Sequence, residues 1–329
     1  MLLPYLIARL RYWNPAVVRH LKAGMGLERR ARMLAPFWAE HMQRTRSAQA
    51  RWAVTTDFRG QWLTVLGAGR LLDFNRTVLL PRFANLQLVD ADRLCLHVWK
   101  HLPKPVEPVC VDISGCVDKW LASLKKGKQQ PWAETLETIR GKRAPQGSAY
   151  RAGGEAVLSL NVLSQLQIVW QDGVEEYLEK RFGHDFVKSH ELEWLDALRP
   201  AGQTLVKQHL AALERAAPTY VLLITDVEYL EYKGVPYQAD HWAPPPVEWT
   251  EEDGWCAETE VDCEVSPALE GVALNADTFA EWMPSYRLTW QESWLWHIAP
   301  LGTGPEQYGK VHRVGAFALE AREQNARAD

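Results

Sequence analysis

Cysteine is scarce in this chain. Cys95, Cys110, Cys116, Cys256 and Cys263 are an odd set, and no two stand as C-x-x-C. That argues against a disulfide framework or a thiolate zinc site and makes a reducing, cytoplasmic setting the expectation. No apolar run reaches the roughly 20 residues that a bilayer-spanning helix needs. The opening MLLPYLIARLRYW mixes arginine into its apolar part and offers no small-residue cleavage site, so it does not read as a signal peptide. Surface contact with a membrane through the first 23 residues is the weaker membrane role left open. Lys and Arg are absent from 234 to 286, a stretch that carries twelve Asp and Glu. Residues 1–60, by contrast, hold eleven Lys and Arg against Glu28, Glu40 and Asp57. Such asymmetry suggests an anionic partner for the N-terminal part or docking of the two segments on each other.

What is abundant is apolar and aromatic. The 329 residues are 47% hydrophobic, include 16 tryptophans and carry a formal charge of −4. That suffices for one large domain with additions, or for two small ones.

The most informative stretch is Trp62 to Asp92. Trp62-Leu63-Thr64-Val65-Leu66 is short enough for a buried strand and ends in Gly67-Ala68-Gly69; a second run, Leu86-Gln87-Leu88-Val89, ends in Asp90. Glycines let the backbone turn sharply and approach a ligand, and an acid at the tip of the next strand can accept both hydroxyls of a ribose. The pattern is therefore a candidate site for an adenosine-bearing cofactor. A dinucleotide fingerprint wants G-x-G-x-x-G, and Leu72 stands at its third glycine.

Elsewhere the chain alternates helix and strand signals. Residues 1–58 read as helical: a second helix over Ala16–Ala23 stops near Gly24 and Gly26, and a longer one runs from Glu28 to about Val54 with a break at Pro36. Val109–Asp112 reads as a third strand ending in an acid, 125–154 as a basic loop region, Glu155–Asn161 as a fourth strand, and Tyr220–Asp226 as a fifth. Residues 172–216 carry two helical patterns. The acidic segment 234–284 shows no strong period and is expected to be a lid, a binding loop or disordered. Tyr286–Ile298 and Tyr308–Leu319 alternate on either side of a turn and predict a β-hairpin.

Strand, Gly67-x-Gly69, Asp90 at the second strand, Asp112 at the third, Asn161 at the fourth and a closing hairpin together resemble the class I S-adenosylmethionine-dependent methyltransferases. Leu71 stands where many members have a third glycine. The resemblance covers about 61–233 and 286–319. It implies a doubly wound, mostly parallel seven-stranded α/β sheet with a C-terminal antiparallel hairpin. The corresponding units are an N-terminal helical basic cap (1–58), a Rossmann-like cofactor-binding domain (59–233 and 285–322), the acidic insertion (234–284) and a tail (323–329). It further implies S-adenosyl-L-methionine as cofactor, held by Gly67, Ala68, Gly69, Asp90, Asp112 and Asn161. Asn161 and Asp226 are the catalytic candidates, with His184 and His241 as weaker bases. For the acceptor, Gln165 and the trio His41, Arg44 and Arg46 are candidate contacts, the trio through an anionic group. The alternative for the trio is a solvated basic face, and for Asn161 a plain helix cap. His97 and His101 share a helical i, i+4 spacing, but no third ligand is visible and no metal is expected.

No Asn/Asp-Pro-Pro-aromatic tetrapeptide or Pro-Cys pair of nucleic-acid methylating enzymes occurs. With a net charge of −4 and a large acidic segment, a small or protein-borne acceptor is the simpler expectation, and a small molecule is favoured over RNA or protein. Two other functions stay open: an NAD(P)-dependent oxidoreductase using the same glycines and acid, and a non-catalytic binding protein of the same fold.

Overall fold

The computed structural model describes residues 15–127, 129–143, 154–234, 247–252, 254–257, 262–303 and 308–322. Its centre is a sheet in the order β3-β2-β1-β4-β5-β10-β9. The strands are β1 (Gly60–Leu66), β2 (Phe83–Asp90), β3 (Val106–Cys110), β4 (Ala156–Leu160), β5 (Tyr220–Lys233), β9 (Tyr286–Ala299) and β10 (Gly309–Ala321). The first five are mutually parallel, and β10 lies antiparallel between β5 and β9. The expected hairpin and its antiparallel insertion are thus present. Every residue of β4 is buried, as a central parallel strand covered on both faces requires. β3 tolerates Pro108 because it is an edge strand.

Strand alternation divides the core in two. Leu63, Val65, Leu86, Leu88, Leu158, Leu160, Leu222 and Ile224 face one side with Trp294 and Trp296. The helix α2 (Ala35–Thr55) covers them with a single stripe, Trp38, His41, Thr45, Ala48, Gln49 and Trp52. The opposite face carries Leu66, Val89, Val157, Val221, Leu223 and Phe317. It is covered by α3 (Val117–Lys126), α4 (Trp132–Arg140), α5 (Val162–Phe182), the short α6 (His184–Ser189) and α7 (Glu191–Ala216).

Four expectations need correction. The first helix, α1 (Pro15–Met33), runs straight through Gly24 and Gly26. A Cβ at Gly24 would stand 2.1 Å from Asp92 Oδ2, so close packing, and not helix termination, accounts for this glycine. The region 125–154 contains α4, whose buried Thr135, Leu136 and Ile139 are too few to stand out in a basic context. The acidic segment is structured in part. A hairpin, β6 (Val247–Thr250) and β7 (Gly254–Ala257), precedes β8 (Asp262–Pro267) and α8 (Ala276–Trp282). β8 pairs with the upper half of β5, beyond the reach of β4, which makes the sheet eight-stranded. Most of its side chains are exposed, so it has no apolar alternation to read. The third strand also lies slightly earlier than expected, ending at Cys110.

Among the described residues no helix is long and apolar enough to cross a membrane. Arg19, Arg32, Arg44 and Arg51 of the N-terminal helices pair with Asp118, Glu28, Glu40 and Glu292, none of which lies in the acidic segment.

Candidate functional site at the carboxyl ends of the strands

β1 ends in a turn of unusual backbone. Gly67, Gly69 and Leu71 all have positive φ, at 67°, 45° and 57°. Gly67 is required structurally: a Cβ there would meet Leu160 O at 2.5 Å. A Cβ at Gly69 would make only ordinary van der Waals contacts, with Gly67 O at 3.8 Å and Asp90 Oδ2 at 3.9 Å. Leu71 keeps the left-handed conformation that a third glycine would adopt freely, and its buried side chain joins the core. Ala68 N–H donates to Val89 O, tying the turn to β2.

Asp90, at the tip of β2, accepts from Gly69 N at 2.8 Å and from Asp92 N at 2.8 Å. Burial pushes its carboxyl above the usual range, opposed by those amides and by the nearby His20. Asp92 is pushed up to about 6 by burial, opposed by the Leu94 amide, with the Asp90 charge adding to the rise. Its Oδ2 is buried without a partner. Asp112, just past β3, accepts from the amide and hydroxyl of Ser114.

Helix α1 crosses above these three strand ends. Arg19 and His20 approach Asp118 at 3.4 and 3.7 Å, Gly24 sits on Asp92, and Glu28 pairs with Arg70 of the glycine turn.

At the β4 tip, Asn161 has φ 52° and donates its amide to Ile224 O at 2.7 Å. It occupies the cap position of α5, yet its side chain makes no capping bond, and Oδ1 is buried without a partner. One turn on, Ser164 Oγ donates to Asp226 Oδ2 at 2.9 Å, while Asp226 Oδ1 lies 3.2 Å from His312 Nδ1 of β10. Burial alone would raise the Asp226 carboxyl; His312, with help from Ser164 and His41, outweighs it and holds the group below the usual range. His41 stacks on Trp296 with centroids 3.9 Å apart.

These tips lie side by side in the order 3-2-1-4-5, followed by the inserted antiparallel strand. The chain has the Rossmann-like fold of class I methyltransferases. No protein-family model matches the sequence, and no curated protein matches it. Among solved structures it is similar to an S-adenosylmethionine-dependent methyltransferase from Clostridium acetobutylicum ATCC 824, at 8% identity and TM-score 0.34, covering 85% of this chain and 91% of that one. It is also similar to the 1,6-didemethyltoxoflavin-N1-methyltransferase of Burkholderia thailandensis bound to S-adenosylhomocysteine, at 9% identity, TM-score 0.35, and 89% and 87% coverage. A third is an S-adenosylmethionine-dependent methyltransferase from Anabaena variabilis ATCC 29413, at 11% identity, TM-score 0.31, and 88% and 95% coverage.

The class I arrangement brings Gly67, Ala68, Gly69, Asp90, Asp112, Asn161 and Asp226 to one rim of the sheet. It separates the trio on α2. His41 is buried against Trp294 and Trp296, Arg44 is exposed beside Glu40, and Arg46 donates to Leu72 O at 2.5 Å. Gln165 is exposed on the first turn of α5. His184 pairs with Glu179, and His190 stacks on Phe186 beside Trp132, on the outer helical layer. His241 lies outside the described residues. Among the described residues no group of three His, Cys, Asp or Glu side chains could hold a metal ion. His312 and Ser164 were not singled out from sequence as site residues. The only signal for His312 was its place in the alternating hairpin, two residues before Val314 on the same face.

Proposed function

We propose that this protein is an S-adenosylmethionine-dependent methyltransferase acting on a small molecule. The observation that carries it is an unused polar group at the β4 tip, beside the glycine turn of β1. Asn161 Oδ1 is a buried acceptor with no hydrogen-bond partner within the protein. A buried acceptor without a partner is costly unless a ligand supplies the donor. The residues fit the cofactor. Asp90 keeps lone pairs for ribose hydroxyls while holding the glycine turn, Asp112 stands at the β3 tip for the adenine edge, and Gly67 to Gly69 form the floor.

Bound there, the cofactor would supply a methyl group already activated by a sulfonium charge. The work left to the chain is alignment of the acceptor and exclusion of water. Asn161 would orient the acceptor from the β4 tip, and Gln165 is exposed one turn further for contact with it. Helix α1 would close over the adenosine side. On the acceptor side, Trp255 of β7 donates to Glu228 at 2.8 Å and Trp249 of β6 packs on Arg313 at 4.3 Å, an aromatic roof suited to a small acceptor.

A dinucleotide is disfavoured by the segment after Gly69. The next helical turn begins only at Arg76, so no helix N-terminus lies directly behind the glycines to meet a pyrophosphate.

Calorimetric titration with S-adenosylmethionine, S-adenosylhomocysteine, NAD and NADP tests this. Binding of the two adenosyl-sulfur compounds, lost in Asp90→Ala, is expected. Binding of NAD or NADP instead, or of nothing, would overturn the proposal.

A further inference from the structure

The polar cluster beyond Asn161 includes a histidine that the alignment chemistry above leaves unused. His312 is 7% exposed and stands on β10 opposite Tyr229, two pairs beyond the Asp226–Val314 pair. The groups facing it are Asp226 at 3.2 Å, the Tyr229 ring at 4.4 Å between centroids and Trp296 at 5.6 Å, with His41 of α2 stacked on the far partner, Trp296. The charged neighbours on its own strand are already engaged, Lys310 with Glu231 and Arg313 with Glu228.

Nδ1 faces a carboxylate that is itself fixed by Ser164 Oγ. The 3.2 Å approach is an electrostatic contact and not an aligned hydrogen bond; a lone pair on Nδ1 would face the carboxylate charge, which favours the tautomer with the proton on Nδ1 and the lone pair on Nε2. An imidazole oriented in this way by a buried carboxylate is arranged to take a proton and to be stabilised as imidazolium. The carboxylate is anchored to the first turn of α5, which starts at Asn161. The base is therefore held at the same strand tips as the residue proposed to align the acceptor.

We propose that His312 is the general base of the methyl transfer, with Asp226 as its positioning residue. The acceptor then presents a neutral O–H or N–H of the phenol or amine class. This rests on the methyl-transfer reading above. In the step, His312 Nε2 takes the proton from the acceptor atom. That atom forms its bond to the methyl carbon as the carbon–sulfur bond breaks, and the bonding pair stays on sulfur as a neutral thioether. The proton passes from His312 to solvent after product release.

Diethylpyrocarbonate acylates an unprotonated imidazole nitrogen that it can reach. Timed exposure of the full chain near pH 7, followed by peptide mass spectrometry, is expected to modify His312 well before the enclosed His41 and His209, and more slowly in Asp226→Asn. A His312 as inert as His209 would overturn the proposal. With a labelled methyl donor and a panel of phenols and amines, His312→Gln should lower kcat by about 100-fold while S-adenosylhomocysteine affinity stays at the wild-type value. The loss should shrink for phenols that ionise below the assay pH. An unchanged kcat overturns the proposal even if His312 is reactive. Failure of the wild type to bind S-adenosylhomocysteine is a separate result, which removes the methyl-transfer reading itself.

Discussion

Trp294 donates its indole N–H to Nδ1 of His41 at 3.1 Å, across 253 positions of the chain. Because indole nitrogen can only donate, Nδ1 must hold a lone pair, and any proton on the neutral ring sits on Nε2. The bond also locks α2 to β9, which Trp38 reinforces by donating to Ile298 O at 3.1 Å. His41 therefore acts first as a neutral piece of the α2–sheet contact.

The pH dependence of stability follows from this. Burial drives His41 down to about 4, and drives His209, which sits behind Ser159, to about 4 as well. Between the ordinary histidine value and about 4 the unfolded chain binds protons that the folded chain refuses, so these groups lower stability as pH falls. For His41 the full effect is about 3 kcal/mol. Asp73 and Asp92, pushed up to about 6 by burial, act oppositely: the fold binds their protons first and gains stability between about pH 6 and 4. Urea midpoints measured over pH 4–6.5 should fall less steeply in His41→Gln than in the wild type. An equal slope would contradict the neutral assignment of His41.

The two glycines of the β1 turn should respond differently to alanine. Gly67→Ala places a Cβ 2.5 Å from Leu160 O in a left-handed backbone and should lower stability by about 2–4 kcal/mol. Gly69→Ala meets only the backbone penalty, about 1 kcal/mol, because a Cβ there makes no more than ordinary van der Waals contact. Its main effect should be weaker S-adenosylhomocysteine binding. Chemical denaturation and calorimetry separate the two, and equal destabilisation would contradict this difference between the two glycines.

Asn161 separates folding from function. Its backbone is left-handed and Oδ1 makes no bond within the protein. Asn161→Gly fits that backbone and should change stability by less than about 1 kcal/mol. It should still impair ligand binding or turnover. A large fall in melting temperature would mean that the side chain is structural.

Glu28 and Arg70 clamp α1 to the glycine turn and are both largely enclosed. A double-mutant cycle with Glu28→Gln and Arg70→Met should give a coupling of about 1–3 kcal/mol. Either single variant should speed hydrogen exchange in α1 and release of bound S-adenosylhomocysteine. Unaltered exchange would show that α1 does not depend on this pair.

The strand tips were legible because parallel strands buried on both faces leave continuous apolar runs. Leu63 to Leu66, Leu86 to Val89 and Val157 to Leu160 each end at a glycine or polar residue. The closing hairpin was legible from its alternation. The sequence by itself therefore determined the doubly wound sheet and the row Gly67, Asp90, Asp112, Asn161 and Asp226. Partners far apart in sequence were decided only in three dimensions. The Asp226–His312 and His41–Trp294 pairs arise from strand register and from a helix laid across it, and local periodicity carries neither. β8 was hidden because an exposed strand has no apolar face, and the continuous α1 because Gly24 serves a contact with Asp92 that no local signal announces. Local pattern fixes what each segment buries, whereas the chemistry of the site depends on which buried polar groups the packing brings face to face.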